Sequence, residues 1–213
     1  MLRPMTQDSA IDHGRPSLRE RKRQRTRAAI YEAAMELFDE RPYAEVTVDE
    51  ICDRAEVGRA TFFRFYGAKA ALLLEFNSRL AQRAHQAIDG TTHQDAPERL
   101  RILAAVIADA WADSSPSMRA MALEMLHRPE TTVGGENLHP ELIELVADII
   151  RDGNRRRELR GETLSPEFVA SVVVTSLAGC VSTWFDGRLI DLHEALEQTV
   201  ELLLQGLQRE KGL

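Results

Sequence analysis

The chain has 213 residues, a net charge of −7 and 44% hydrophobic residues, a composition typical of a soluble globular protein. Its two cysteines stand far apart without a C-x-x-C pair, which argues against a disulfide framework, a zinc site or a redox motif. The chain has neither an uninterrupted apolar run of about 20 residues nor an apolar N-terminal signal segment, so we expect a cytoplasmic protein with no membrane partner.

The charges are distributed unevenly along the chain. Between Arg15 and Arg27, seven basic residues face a single acidic residue, Glu20. Residues 1–66 as a whole are neutral, so the remainder carries the entire net charge of −7. A basic segment on an acidic body is typical of a protein that touches a polyanion at one end, although the same arginines could form a merely solvated surface. Residues 1–16 are polar and aperiodic, which predicts a disordered tail.

Three helices are predicted after this tail. Apolar residues recur at the spacing of one helix face over residues 30–38, and Arg41-Pro42 ends that helix because the residue before proline avoids the α region. The segment Thr47-Val48-Asp49-Glu50 is a capping box that opens a second, short helix. Glu56-Val57-Gly58 interrupts it, and a third helix is predicted over Arg59–Tyr66.

The rest of the chain is also typical of helices. Gly67-Ala68-Lys69 is predicted to open a long fourth helix, and residues 90–95 form the clearest domain boundary. Further helices are expected to start at Ser115-Pro116 and Ser165-Pro166, with a loop over residues 129–139. No segment alternates as a strand would, so we predict an all-α fold of nine helices.

Residues 47–66 have the pattern of a helix-turn-helix, in which two short helices need the long first helix as a third wall. Such a unit presents the N-terminal residues of its second short helix to the major groove. We expect Arg59, Ala60 and Thr61 to meet base edges there, because arginine can donate two hydrogen bonds to guanine and threonine offers a hydroxyl and a methyl group.

Phosphate contacts are expected from the residues around this unit. Thr47 and Lys69 lie at predicted helix starts, where backbone N–H groups favour anions, and the arginines of the basic segment add positive charge. The full predicted set of DNA contacts is Arg19, Arg23, Arg27, Thr47, Arg59, Ala60, Thr61, Arg64, Tyr66 and Lys69.

The motifs follow one another in a recognisable order. The segment from Ile30 to Leu73 contains Ala-Ala-x-x-Leu-Phe, Thr-Val-x-x-Ile and Ala-x-Val-Gly-Arg-Ala-Thr-Phe-Phe-Arg-Phe-Tyr-Gly-Ala-Lys-x-x-Leu. It resembles the DNA-binding domain of the TetR family of repressors. The resemblance implies a nine-helix TetR-like fold with a three-helix helix-turn-helix domain over residues 17–66, a connecting helix over 67–90 and a ligand-binding and dimerisation domain over 91–213. It also implies a homodimer, a pseudo-palindromic double-stranded operator and release by a small molecule.

The chain departs from the family pattern at several positions. The family usually has a phosphate-contacting tyrosine where this chain has Phe63, and it often has histidine at Phe65. Tyr66 takes a place more often held by phenylalanine, so we expect Tyr66 or Arg64 to supply the missing contact. The family often has glycine at Glu56, where a positive φ costs on the order of 1 kcal/mol.

The C-terminal half contains methionine and tryptophan residues that suit an adaptable apolar cavity, although each could equally be ordinary core. We expect an apolar or aromatic small molecule there, with His127 as a polar handle or a satisfied histidine. The last two helices have excess apolar surface, which predicts a four-helix bundle with a second copy. The predicted ligand-binding residues are Trp111, Met118, Met121, Met125, Trp184 and Phe185; the predicted dimer-interface residues are Val173, Cys180, Leu196 and Leu203.

The patterns and the TetR resemblance together predict a ligand-responsive DNA-binding transcriptional regulator, and the resemblance implies a repressor. No phosphate-binding loop, catalytic set or metal-ligating spacing is recognisable, so we predict no enzyme activity, no metal and no cofactor. The alternative is a helical enzyme or small-molecule carrier that uses its N-terminal unit for assembly. The sequence does not separate a repressor from an activator built on the same scaffold.

Overall fold

The computed structural model describes residues 17–90, 94–127, 139–159, 164–188 and 191–207, with side chains of 125–127 left out. Within these ranges the chain forms nine α-helices, two short 3-10 turns and no β-strand, as predicted. The predicted tail at residues 1–16 and nearly all of the predicted loop at residues 129–139 lie outside the described residues.

The helix bounds agree closely with the sequence pattern. The helices are α1 (Leu18–Glu40), α2 (Val48–Arg54), α3 (Arg59–Tyr66), α4 (Leu72–Asp89), α5 (Ala96–Ala112), α6 (Pro116–His127), α7 (Pro140–Arg155), α8 (Pro166–Phe185) and α9 (Leu192–Leu207). The 3-10 turns are Tyr43–Glu45 and Lys69–Ala71. The second turn is a difference from the prediction, because Gly67 takes a φ of 69° and separates α3 from α4 before the long helix begins.

Side-chain caps fix the starts of several helices. Ser17, Asp95 and Ser165 each accept a hydrogen bond from the backbone N–H three residues later, at 3.1, 2.9 and 3.1 Å. Such a cap satisfies one of the N–H groups that a helix leaves without an internal partner at its N-terminus. These starts therefore follow from local sequence alone.

The helices form two connected units, a small N-terminal one and a larger helical body. Helices α1, α2 and α3 enclose a small core that contains Ile30, Phe38, Ile51 and Phe62. Helix α4 leads out of this unit and packs against α5, α6 and α7, while α8 packs against α7 and α9. Helix α6 also contacts both 3-10 turns, so it links the N-terminal unit to the larger helical body.

The outer side of α8 is apolar and exposed. Among the described residues, α8 is the one helix whose length and composition would allow it to cross a membrane. Only 33% of its apolar stretch is buried within the protomer. Val173 points into the protomer core, whereas Phe168 and Val172 are 57% and 40% exposed. On α9, Leu196 is fully buried and Leu202 is 70% exposed.

Two of the four predicted dimer-interface residues are not at the protomer surface. Val173 and Leu196 pack inside their own protomer and have no free surface for a partner. Cys180 is only partly buried and its Sγ lies 3.1 Å from Thr199 Oγ1, while Leu203 packs partly against the core. The periodicity of α8 could not decide between its faces, because apolar residues occur on more than one side of the helix.

Candidate nucleic-acid interface and ligand cavity

The start of α2 is held by a complete capping box. Glu50 Oε2 accepts hydrogen bonds from the backbone N–H and the hydroxyl of Thr47, both at 2.8 Å, and Thr47 Oγ1 accepts from Glu50 N at 3.2 Å. Arg41 Nη1 donates to Glu50 Oε1 at 2.8 Å. The Thr47 N–H, the Arg41 guanidinium and the Thr47 hydroxyl lower the pKa of Glu50 to about 2. Thr47 is exposed at this helix start, but its hydroxyl is already engaged within the protein.

The turn between α2 and α3 has a strained residue. Glu56 has a φ of 53°, in the left-handed region that glycine adopts more readily than other residues. The next residue, Val57, donates its N–H to Cys52 O at 2.9 Å, and Gly58 accepts from Thr61 N at 2.8 Å. The turn thus sets α3 at a fixed angle to α2.

Helix α3 turns one face to the core and one to solvent. Phe62 and Tyr66 are buried, whereas Arg59, Ala60, Phe63 and Arg64 are exposed and Thr61 is half-buried. The residues predicted to meet base edges therefore lie in the first turn of α3, with Arg59 and Ala60 on its open side. Arg59 Nη1 forms an ion pair with Asp49 of α2, 2.5 Å from its nearer carboxylate oxygen.

The position of Tyr66 is a correction to the sequence analysis. Tyr66 or Arg64 was expected to supply the phosphate contact, but Tyr66 is 5% exposed and its hydroxyl donates to Arg27 O at 3.0 Å. Burial raises the pKa of Tyr66 well above its usual range. Motif spacing alone does not fix which aromatic ring of α3 faces the core, and here the Tyr66 ring is held against α1 by the hydrogen bond to Arg27 O.

Arg27 and Lys69 are also engaged within the protein. Arg27 Nε lies 2.6 Å from Glu75 Oε2 on α4. Lys69 Nζ donates to the carbonyl oxygens of Tyr43 and Val46, both at 2.7 Å, and lies 3.9 Å from the centroid of the Tyr43 ring. Both side chains therefore join separate segments of the N-terminal unit.

The first turns of α1 and the end of α3 share one concave basic surface. Arg19 and Arg23, both predicted to contact DNA, line it together with Arg64 of α3. Lys22 lies there too; it belongs to the basic segment but not to the predicted set of individual DNA contacts. The remaining lining residues are Ser17, Glu20, Thr26 and Phe65.

A second feature is an apolar cavity between α4, α5, α6, α7 and α8. The cavity is narrow, with a volume of about 60 Å³. No charged residue lines it among those the structure describes, and burial lowers the pKa of His139, which favours the neutral imidazole. The lining residues are Leu73, Asn77, Leu80, Ile107, Trp111, Ala122, His139, Leu142, Val174, Leu177, Ala178, Val181, Ser182 and Phe185.

The cavity contains only part of the predicted ligand set. Trp111 and Phe185 line it and stack edge to face, with centroids 5.0 Å apart. Met118 and Met121 are buried but are not among the residues that line the cavity. Trp184 stacks on Phe185 from outside the cavity, and its ring lies 4.3 Å from the Arg119 guanidinium. The side chains of Met125 and His127 lie outside the described residues.

Sequence reasoning missed Asn77, one of the polar residues that line this cavity. Asn77 is 2% exposed and lies on the apolar face of α4 between Leu73 and Leu80. A lone amide on an otherwise apolar helix face was visible in the sequence, and buried amides are retained where they meet a hydrogen-bonding group.

Comparisons with known proteins agree with this architecture. Residues 30–76 match the family described as bacterial regulatory proteins, tetR family. MftR of Mycobacterium tuberculosis H37Rv, named for transcriptional regulation of mycofactocin biosynthesis, is 26% identical over 89% of this chain and 94% of its own length. The solved structure of FadR from Thermus thermophilus, a TetR-family repressor in complex with lauroyl-CoA, is 29% identical and covers 87% of this chain and 97% of that one, with a TM-score of 0.72.

The DNA-binding segment at residues 30–76 is that of the TetR family of transcriptional regulators. The predicted fold and family are thereby confirmed, and the relatives named above are regulators rather than enzymes. FadR from Bacillus halodurans, described as a regulator of fatty acid degradation, has the same fold with a TM-score of 0.60 at 19% identity. With this DNA-binding segment and these relatives, the protein is a ligand-responsive DNA-binding regulator.

Proposed function

We propose that this TetR-family member is a homodimeric cytoplasmic repressor that leaves its operator when an uncharged, apolar or aromatic molecule enters the cavity between α4 and α8. The observation that carries the proposal is the position of this cavity. Its wall includes Ala122 of α6, and α6 also contacts the two 3-10 turns that brace α2 and α4. A molecule that widens the cavity therefore acts on a helix joined to the DNA-binding unit.

The proposed DNA contacts come from two surfaces. Arg59, Ala60 and Thr61 in the first turn of α3 face base edges, while Arg19, Arg23 and Arg64 on the concave basic surface contact phosphates, together with Lys22. Thr47, Arg27 and Lys69 act mainly by bracing the helix starts near the phosphates. Tyr66 is left out of the proposed set because it is buried.

The narrowness of the cavity supports a protein that changes conformation when the ligand binds, rather than one with a preformed pocket. Drug-sized ligands occupy pockets of roughly 300–1,000 Å³, so the walls must separate to admit one. A ligand that binds only the widened form shifts the population towards that form, and it can do so only through its differential affinity. The absence of lining charge among the described residues favours an uncharged ligand, for which Asn77 supplies one hydrogen-bonding group.

The proposed dimer interface is the outer face of α8 and α9 rather than the predicted residues Val173 and Leu196. Phe168, Val172 and Leu202 give it apolar anchors. Gly179 lies on the same side of α8 and a Cβ there would meet nothing within 4 Å, so a second helix can approach closely. Two copies related by this face place their recognition helices about 34–36 Å apart in successive major grooves.

Selection of bound DNA from a random pool tests the proposed function. A two-fold symmetric motif, bound with a steep dependence on salt, is the expected result, because several basic residues displace counterions. No enriched motif, together with weak binding that vanishes at moderate salt, would favour the helical enzyme or carrier.

The ligand is tested through the two tryptophans, since Trp111 lines the cavity and Trp184 stacks beside it. Naphthalene and 1-dodecanol are expected to change tryptophan fluorescence and release operator DNA. The substitution Ala178→Phe should abolish both effects by filling the cavity, while Ala105→Phe on the exposed side of α5 should not. Release by lauroyl-CoA alone would contradict the uncharged ligand class.

Light scattering tests the interface. Val172→Asp and Leu202→Asp are expected to give folded monomers, because each places a charge on the outer face without entering the protomer core. A dimer that persists in both variants would move the interface elsewhere.

A further inference from the structure

The first turn of α3 carries an ion pair that bridges the two short helices. Arg59 Nη1 lies 2.5 and 2.6 Å from the two carboxylate oxygens of Asp49. The Arg59 guanidinium carbon also lies 5.8 Å from the centroid of the Phe63 ring, one turn along α3. The two paired side chains are 61% and 57% exposed. An ion pair this exposed adds little to stability, so the fold does not account for it.

The location of Asp49 is unfavourable for a surface that approaches DNA. A carboxylate there is repelled by phosphates unless a neighbouring cation neutralises it. Within the described residues, Arg59 is the only cation paired with Asp49, since Arg41 pairs with Glu50 and Arg54 with carboxylates of α1. The pair therefore removes net charge from Arg59 at the place where a base reader is expected.

The geometry of the pair leaves one edge of the guanidinium available. Asp49 occupies Nη1, and no described residue accepts a hydrogen bond from Nε or Nη2 of Arg59. These two nitrogens present parallel N–H donors, which is the fork that matches O6 and N7 of guanine. The carboxylate and the Phe63 ring restrict the side chain from two sides.

We propose that Asp49 is a specificity-determining residue, which holds Arg59 so that its Nε and Nη2 donors read a guanine instead of a phosphate. The inference rests on the proposed DNA-binding function and adds to it a residue that touches no base itself. Without the carboxylate, Arg59 is free to pair with the backbone of any sequence. Asp49 thus lowers sequence-independent affinity while raising discrimination between bases.

The test uses the full-length protein and the operator selected by the wild type. Binding is measured by fluorescence anisotropy on this operator and on copies with each guanine replaced. For Asp49→Asn we expect about a tenfold loss of discrimination at one guanine of each half-site. We also expect a steeper salt dependence, because the freed arginine gains a phosphate contact. The matched control is Asp53→Asn, an exposed aspartate on the same helix, which should change affinity for all sequences alike.

A double-substitution cycle separates a role through Arg59 from a general charge effect. In the Arg59→Ala background, Asp49→Asn should leave the base preference unchanged. The proposal is overturned if Asp49→Asn and Asp53→Asn have the same base preference, or if Asp49→Asn still alters it without Arg59. A wild type that selects no motif would instead overturn the DNA-binding proposal on which this one depends, so the two failures are distinguishable.

Discussion

Ser117 Oγ donates a 2.9 Å hydrogen bond to the carbonyl oxygen of Arg41, which lies 76 positions earlier in the chain. Ser117 is in the first turn of α6 and is almost completely buried. The side chain of Arg41 in turn binds Glu50 at the start of α2. Helix α6, which reaches the cavity at Ala122, is therefore tied through Arg41 to the capping box of the DNA-binding unit.

Replacing Ser117 with alanine should weaken this connection. The Arg41 carbonyl would lose its partner, so we expect the free energy of unfolding in urea to fall by about 1–2 kcal/mol. We also expect a ligand identified by the fluorescence screen to release operator DNA less completely. Ser78→Ala on α4 is the control and should change the unfolding free energy by less than about 0.5 kcal/mol. An unchanged ligand response would show that the coupling runs through other contacts of α6.

The capping box gives the stability a specific dependence on pH. The pKa of Glu50 is about 2 in the folded protein, below its usual 4.5, because the Thr47 N–H and the Arg41 guanidinium favour the carboxylate. A carboxyl group with a lowered pKa stabilises the fold at neutral pH, and this contribution is lost as the pH falls from about 5 towards 2. Glu50→Gln should therefore melt at a lower temperature than the wild type at pH 7. The difference between the two melting temperatures should become smaller towards pH 3.

Thermal melts at pH 7, 5, 4 and 3 check this expectation. Glu45→Gln serves as the control, since Glu45 is exposed and lies in the neighbouring 3-10 turn. A difference between Glu50→Gln and the wild type that stays constant over this range would contradict the role of the ionised carboxylate.

The left-handed residue in the helix-turn-helix predicts a stabilising substitution. Glu56 has a φ of 53°, which glycine adopts without a steric penalty. Glu56→Gly should raise the free energy of unfolding by up to about 1 kcal/mol. Arg157→Gly, at a φ of 61°, should also raise the free energy of unfolding. Asp53→Gly within α2 should lower it by about 1 kcal/mol. Denaturant titrations of the three variants would reject the strain argument if all of them destabilise the protein.

The buried tyrosine of α3 leads to opposite expectations for two aromatic positions. Tyr66→Phe removes the hydrogen bond to Arg27 O, so it should lower the unfolding free energy by about 1 kcal/mol and leave DNA affinity unchanged. Phe63→Tyr adds a hydroxyl on the exposed side of the same helix and should strengthen operator binding. Anisotropy at one fixed salt concentration compares both variants, and a loss of affinity in Tyr66→Phe would return Tyr66 to the phosphate contacts.

Features set by neighbouring residues were predictable from the sequence. The capping box at Thr47, the caps at Ser17 and Ser165 and the helix ends near prolines depend on interactions within a few positions. The nine helices and the unusual backbone of Glu56 therefore agree with the sequence pattern.

Features set by distant residues were not predictable from the sequence. Whether Phe168 or Val173 faces outward depends on where α7 and α9 pack against α8, and both choices fit an apolar helix. The cavity is likewise a gap left between five helices, so its walls include Asn77 and exclude Met118 for reasons that no single helix contains. The pairing of Arg59 with Asp49 is set by the angle of the turn between α2 and α3.

The exposed apolar side of α8 has a consequence for the amount of protein in the cell. If two copies cover this side, folding and pairing are linked by mass action, and the melting temperature should rise with protein concentration. A freshly made chain then gains its full stability only after meeting another copy. Protomers below the concentration needed for pairing would be removed by proteases first, which sets a threshold for how little of this regulator can persist.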